Sequence, residues 1–208
     1  MSPRFGASLA THAKTHNASG ALHAKVAMRR NVLDTIGASS ARVFDAYAGP
    51  GEMWSAVWRE ASHYTGCDEE WFKDERRVFV ADNQLVMRTL DLGAFNVFDL
   101  DAFGSPWECA TILAARRKVK PDELVGLCLT DGSGLRLKMS GVPHALARLA
   151  GVGGSMKLAN RGHEALFDRA LSVVCERMGA EVVKRWRAVS TVRAGMRYEA
   201  MVLRGLTE

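Results

Sequence analysis

The chain lacks any long uncharged run. Its apolar stretches are broken by charge well short of the roughly 18–20 residues that a bilayer-spanning helix needs, so no membrane segment is expected. The N-terminus carries Arg4 but no apolar stretch leading to a small-residue cleavage site, which argues against a secretory signal and sets the expectation of a cytoplasmic protein. Cysteine is scarce: Cys67, Cys109, Cys128 and Cys175 include no C-x-x-C pair, which argues against a zinc site and a disulfide framework and leaves them as reduced, mostly buried thiols. No H-E-x-x-H motif occurs among the six histidines, and no metal is expected. Acidic residues are nearly missing from residues 1–41, which hold five Lys/Arg against Asp34 alone.

What is present is an ordinary globular composition, 48% hydrophobic and 25% charged over 208 residues, which suits a single domain spanning 1–208. A basic helical extension over 1–41 and a basic insertion over 131–161 are expected to flank its core. The charge is segregated. Residues 42–135 carry ten basic and sixteen acidic residues, whereas residues 136–197 carry twelve basic and four acidic. Basic flanks attract phosphates through charge neutralisation and counterion release, which implies an RNA or DNA partner; a solvated Lys/Arg face is the alternative.

Over residues 20–37, Leu22, Val26, Met28, Val32, Leu33 and Ile36 fall at approximately helical spacing before a stop at Gly37. Residues 42–47 read as a short strand, followed by the glycine-rich turn AGPGEM and a helical stretch around 54–59. Further strands are expected at 64–68, 78–82, 95–101 and 124–130, with helices between several of them, one over 107–118 entered through Ser105 and Pro106. Repeated β–α units imply a parallel, doubly wound sheet. Near the end, 182–190 and 197–204 flank a turn-prone TVRAG and should pair as an antiparallel hairpin. The glycine-rich basic connection 131–161 is long enough for a binding loop, lid or small insertion, ahead of a helix at 162–178.

The most specific local signal is Asp45-Ala46-Tyr47-Ala48-Gly49-Pro50-Gly51, where a strand gives way to a helix. Glycines there let the backbone turn sharply and approach a ligand lying over the strand ends. The third glycine of a dinucleotide-binding turn is absent. Trp54 stands in its place, too bulky for close helix–strand contact, which weakens a pyrophosphate reading and makes a nicotinamide oxidoreductase the weakest alternative. An acid four residues before the first glycine suits a ligand carrying an amine, and Asp68, seventeen residues after Gly51, can accept ribose hydroxyl protons. Asp82, followed by Asn83, closes the third strand. A plain β–α turn and helix-capping acids are the alternatives, but three acids at successive strand ends are a less frequent chance pattern.

The turn resembles motif I of the class I S-adenosylmethionine-dependent methyltransferases, with its D/E-x-x-x-G-x-G form. Five parallel strands followed by a hairpin match that family's Rossmann-like seven-stranded plan. The resemblance implies S-adenosyl-L-methionine as cofactor, held by Asp45, Tyr47, Gly49, Gly51, Asp68, Asp82 and Asn83, with the acid after the third strand meeting the adenine amine.

The segment Asp101-Ala102-Phe103-Gly104-Ser105-Pro106 resembles the D-P-F-G-S-P segment of the tRNA guanine-N2 dimethyltransferases and, more distantly, the D/N-P-P-Y/F motif of amino-group methyltransferases. A purine exocyclic amine is a poor nucleophile because its lone pair is delocalised into the ring. Asp101 and a neighbouring carbonyl could accept its N–H bonds while Phe103 stacks on the base, so that positioning does much of the catalysis. Ala102 stands where the family has proline, which removes a fixed φ angle from the loop. Core packing for Phe103, and helix capping for Asp99 and Asp101, are the alternatives; Asp99 is read as a cap.

The expected function is methylation of an exocyclic amine on a nucleic-acid base, RNA favoured over DNA. A DNA or small-molecule amine methyltransferase and a catalytically silent RNA-binding or partner subunit are the other readings. The chain is short beside the RNA dimethyltransferases it resembles, so RNA recognition must come from this one domain, a homodimer or a partner subunit. Arg136, Lys138, Arg148 and Lys157 are candidate phosphate contacts, and the basic residues of 12–30 read either as phosphate ligands or as an ordinary helix face.

Overall fold

The computed structural model describes residues 19–70, 73–153, 160–189 and 195–207 and interleaves helices with strands along the chain. Helix α1 (Ser19–Ile36) leads to β1 (Arg42–Asp45), α2 (Glu52–Ala56) and a 3-10 turn at Trp58–Glu60, then β2 (His63–Asp68) and β3 (Val78–Val80). Next come α3 (Asn83–Thr89), β4 (Val97–Asp101), α4 (Trp107–Arg116) and β5 (Leu124–Asp131). Helices α5 (Gly134–Met139), α6 (His144–Ala150) and α7 (Asn160–Met178) precede the hairpin of β6 (Ala180–Val189) and β7 (Arg197–Gly205).

The seven strands form one sheet in the order β3-β2-β1-β4-β5-β7-β6. The first five run parallel, and β7 pairs antiparallel with both β5 and β6. This is the α/β, Rossmann-like arrangement that the pattern of elements implied. Central strands β4 and β5 are buried along nearly their whole length, as strands covered on both faces must be. Alternate side chains supply two cores. Phe44, Phe98, Leu127 and Leu129 pack under α3, α4, α6 and α7, while Val43, Val97, Cys128 and Val202 pack under α1 and Trp58. Gly126 allows α1 its close approach, because a Cβ there would lie 2.4 Å from Val32 Cγ1. All four cysteines are free and buried.

Three local expectations change. The helix expected over 54–59 is interrupted at Val57 (φ −140°), giving α2 and the 3-10 turn. The third strand stops at Val80, and Asp82 caps α3 by accepting the Leu85 N–H at 2.7 Å. Within the connection 131–161, α5 and α6 bury Leu137, Leu146 and Leu149, so this stretch contributes to the core as well as the surface.

Candidate active site

Strand β1 lies between β2 and β4, so the connections leaving its carboxyl end and that of β4 diverge to opposite sides, opening the crevice where ligands of open α/β sheets bind. Asp45 ends β1 in register with Gly66 and Asp99. Its side chain lies beneath the glycine turn, 2% exposed, accepting the Tyr47 N–H at 3.1 Å and the Tyr64 hydroxyl at 3.0 Å. Burial, then the neighbouring Asp99 charge, push the Asp45 carboxyl up to about 8 against the pull of those two hydrogen bonds.

Above it the chain reverses through Gly49 (φ 44°) and Gly51 (φ 87°), a left-handed conformation that suits glycine. Asp68 accepts the Gly49 N–H at 2.8 Å and the Glu70 N–H at 2.9 Å, tying the end of β2 to the turn. Asn83 donates to the Ala46 carbonyl at 3.0 Å, and the Tyr47 hydroxyl lies 3.4 Å from Cys109 Sγ. Asp45, Tyr47, Gly49, Gly51, Asp68 and Asn83 are thus brought together around one turn. Asp82 is adjacent to Asn83 but exposed, and its carboxylate is occupied as the α3 cap.

Arg76 also supports this turn, and sequence reasoning missed it. Buried and paired with Asp74 at 2.6 Å, it donates to the carbonyls of Ala48 at 2.8 Å and Gly49 at 2.7 Å. A Cβ on Gly51 would lie 2.9 Å from its Cζ. Nothing in the charged stretch Lys73-Asp74-Glu75-Arg76-Arg77 separates Arg76 from its neighbours.

The end of β4 carries two carboxylates on one face, Asp99 and Asp101, as the two-residue period of a strand dictates. Asp99 is fully buried and does not cap α4. It receives a two-pronged contact from Arg29 Nε and Nη2, both at 2.6 Å, and a third hydrogen bond from Trp58 Nε1 at 2.7 Å. Asp101 does not cap α4 either, whose first turn follows Pro106 without a side-chain cap. Its carboxylate pairs with Lys25 Nζ at 2.8 Å and Arg29 Nη2 at 3.4 Å. Burial alone would raise the Asp101 carboxyl, but Arg29 and Lys25 outweigh it and hold the group below its ordinary value. Burial would likewise lower Arg29, yet Asp99 and Asp101 keep it firmly cationic.

Lys25 and Arg29 therefore face the sheet, so for these two residues neither alternative drawn from the sequence, phosphate ligand or ordinary helix face, holds. His12, Lys14 and His16 of the same stretch lie outside the described residues. A signal existed for Arg29: three residues after Val26 and three before Val32, it falls on the apolar stripe of α1.

After Asp101 the chain buries Ala102 and projects Phe103, which is 81% exposed, so Phe103 is not a core residue. This loop is fixed to the start of the next connection by the Gly132 N–H donating to the Gly104 carbonyl at 2.7 Å. Behind it, Trp107 Nε1 and the Ser133 N–H (2.6 Å) donate to Asp131. An anionic acceptor held by two cations thus lies two residues from an exposed aromatic ring, beside a glycine turn lined by Asp45 and Asp68. Such a site can orient an amine and stack a flat ring.

Of the other candidate contacts, Arg136, Lys138 and Arg148 are exposed, and Lys157 lies outside the described residues. No helix of the described residues is long and apolar enough to cross a membrane.

No family model matches the chain, and no curated protein matches it. Among solved structures it is similar to Trm1 from Pyrococcus horikoshii in complex with S-adenosyl-L-methionine, at 17% identity and a TM-score of 0.56 over 91% of this chain and 56% of that one. It is similar to TYW2 from M. jannaschii in complex with AdoMet, at 10% identity and a TM-score of 0.53 over 93% of this chain and 80% of that one. A third likeness is to the N-methyltransferase NodS from Bradyrhizobium japonicum WM9 in complex with S-adenosyl-L-homocysteine, at 9% identity and a TM-score of 0.50 over 88% and 86%. The chain spans little more than half the length of that Trm1 chain. With its strand order and terminal hairpin, the chain has the fold of the class I methyltransferases.

Proposed function

We propose that this chain is an S-adenosylmethionine-dependent N-methyltransferase acting on an exocyclic amine of a nucleic-acid base, in tRNA or another RNA. One observation carries the reading: the glycine turn with Asp45 and Asp68 and the Asp101–Phe103 segment meet at the carboxyl ends of neighbouring strands, over the switch point of the sheet.

The donor set fits the cofactor. Two carboxylates suit a molecule carrying an ammonium group and vicinal ribose hydroxyls, and the Gly49–Gly51 turn keeps side chains away from its path. Asp45 offers a buried carboxyl beneath the turn, whose raised proton affinity an ammonium group bound beside it would lower, restoring the charge; Asp68 retains lone pairs for hydroxyl protons, and Asn83 orders the loop near the adenine position. The bound cofactor would supply a positively charged sulfonium whose methyl group is activated for transfer.

The chain's own part is positioning. Lys25 and Arg29 hold Asp101 anionic and fixed in direction, and a carboxylate with about four acceptor sites can still take an N–H from the substrate amine. That contact would aim the nitrogen lone pair, with Phe103 stacking on the ring that bears it. No covalent nucleophile is needed. The cationic stretch after β5 favours RNA over a small amine as substrate.

Calorimetric titration with S-adenosylmethionine, followed by transfer of a labelled methyl group to RNA and DNA pools, tests the proposal. Donor binding and labelling of RNA are expected; a protein that binds donor but labels only DNA or small amines would shift the substrate class. A protein that binds no donor would point instead to a silent RNA-binding subunit.

A further inference from the structure

Three large apolar side chains are exposed on the loop after β4 and on helix α5, which follows β5: Phe103 at 81%, Leu135 at 54% and Met139 at 65%. Leu135 and Met139 are four residues apart on α5, and therefore on one face, while Leu137 of the same helix is fully buried. The helix is held in place. The Gly132–Gly104 hydrogen bond joins its approach to the loop carrying Phe103, and Asp131 grips the Ser133 N–H just ahead of it. An apolar face fixed in this way costs solvation in the free protein, and such faces mark binding surfaces when they are contiguous.

The charge beside that face identifies its occupant. Arg136 and Lys138 are exposed on α5 itself, and residues 132–163 contain Arg136, Lys138, Arg148, Lys157 and Arg161 with no Asp or Glu. A purely apolar protein partner would not call for a run of cations without a single carboxylate, whereas a polyanion would. A duplex presents phosphates but hides its base faces; an unpaired strand presents both. We infer that the α5 face, with Leu135 and Met139 flanked by Arg136 and Lys138, docks the unpaired RNA strand next to the target nucleotide. The side chains of Leu135 and Met139 lie against a flanking base while the two cations take its phosphates. This inference rests on the RNA part of the proposed function and makes the substrate single-stranded or locally opened at the target.

The test uses the full chain and a fluorescein-labelled, random-sequence unpaired RNA of roughly 15 nucleotides, about the span of a single-strand site, read by anisotropy. Leu135→Ser with Met139→Ser is expected to weaken binding about fivefold or more, the scale of losing apolar burial against a base, with the salt dependence unchanged. Arg136→Ala with Lys138→Ala is expected to weaken binding at low salt and to flatten the salt dependence by about 1.4 units of slope. Both pairs are exposed, so calorimetric affinity for S-adenosylmethionine should match that of the wild type and serves as the folding control.

Wild-type-like RNA affinity in both variants overturns the inference, as does equal binding of the corresponding duplex or of single-stranded DNA. A wild type that binds donor but no RNA overturns it too, while leaving the cofactor reading intact. RNA binding with the expected losses but no donor binding upholds the docking face and removes the enzymatic reading.

Discussion

Asp45 and Asp99 end up opposite each other on paired strands, both buried, and only Asp99 receives a guanidinium. The cost of a second buried charge falls on Asp45, whose carboxyl rises to about 8 from an ordinary 3.8. Between those values the folded protein holds a proton that the unfolded chain has lost. Unfolding therefore takes up no proton but releases one, and stability is fullest below the lower value and declines as pH rises through the higher. The midpoint of thermal unfolding is expected to fall between about pH 5 and 8, and Asp45→Asn, which cannot ionise, should flatten that decline. A decline of equal slope in the variant would assign it to another group.

Gly51 gives a second prediction at this scale. Alanine there would occupy a left-handed backbone and press on the buried Arg76 side chain, so Gly51→Ala should lose roughly 1–3 kcal/mol in denaturant unfolding. The same substitution should weaken S-adenosylmethionine binding if the turn is the cofactor's seat. Gly51 was legible as a special position because a glycine motif is local. Arg76 was not, because its partners Ala48 and Gly49 lie 28 and 27 residues away.

At the scale of elements, α1 is joined to the sheet by an apolar stripe and by an ionic cluster buried beneath it. Removing one partner of such a cluster leaves the other charge uncompensated, which typically costs about 3–5 kcal/mol, whereas replacing both partners with apolar residues is far less damaging. Asp99→Asn alone should thus strongly destabilise the protein in denaturant titration, and Arg29→Met combined with Asp99→Leu should recover much of the loss. If the double variant were no better than the single, the cluster's worth would lie in net attraction rather than in mutual compensation. Helix α1 was legible from its spacing of Leu22, Val26, Val32 and Ile36, but its docking partner was not: Arg29 and Asp99 are 70 residues apart. Asp99, read in sequence as a cap, becomes the anchor of the helix for the same reason.

For the whole molecule, charge segregation places most of its acids in the middle of the chain, with Asp45, Asp68, Asp101 and Asp131 at the ends of parallel strands, and many of its cations after β5. Arg136, Lys138 and Arg148 are exposed, and three phosphate contacts to a single strand correspond to a slope near −2 in a plot of log affinity against log salt. RNA affinity should therefore fall roughly twentyfold between about 50 and 200 mM salt, while donor affinity, set at a turn lined by neutral backbone and two acids, should change little. A salt-insensitive RNA complex would remove phosphate contacts from the account.

The sequence by itself determined the alternation of helices and strands, the hairpin, the glycine turn and the acids at the strand ends. Each depends on periodicity or turn chemistry within a few residues, and these survive whatever the rest of the chain does. Only the tertiary structure decided that Lys25 and Arg29 turn inward onto Asp101 and Asp99, that Arg76 props the turn, and that the loop carrying Phe103 is tied through Gly104 to Gly132, just ahead of α5. Those are pairings between distant segments, fixed when the sheet closes over its strand order and the two cores fill, and no local pattern encodes which charge will meet which.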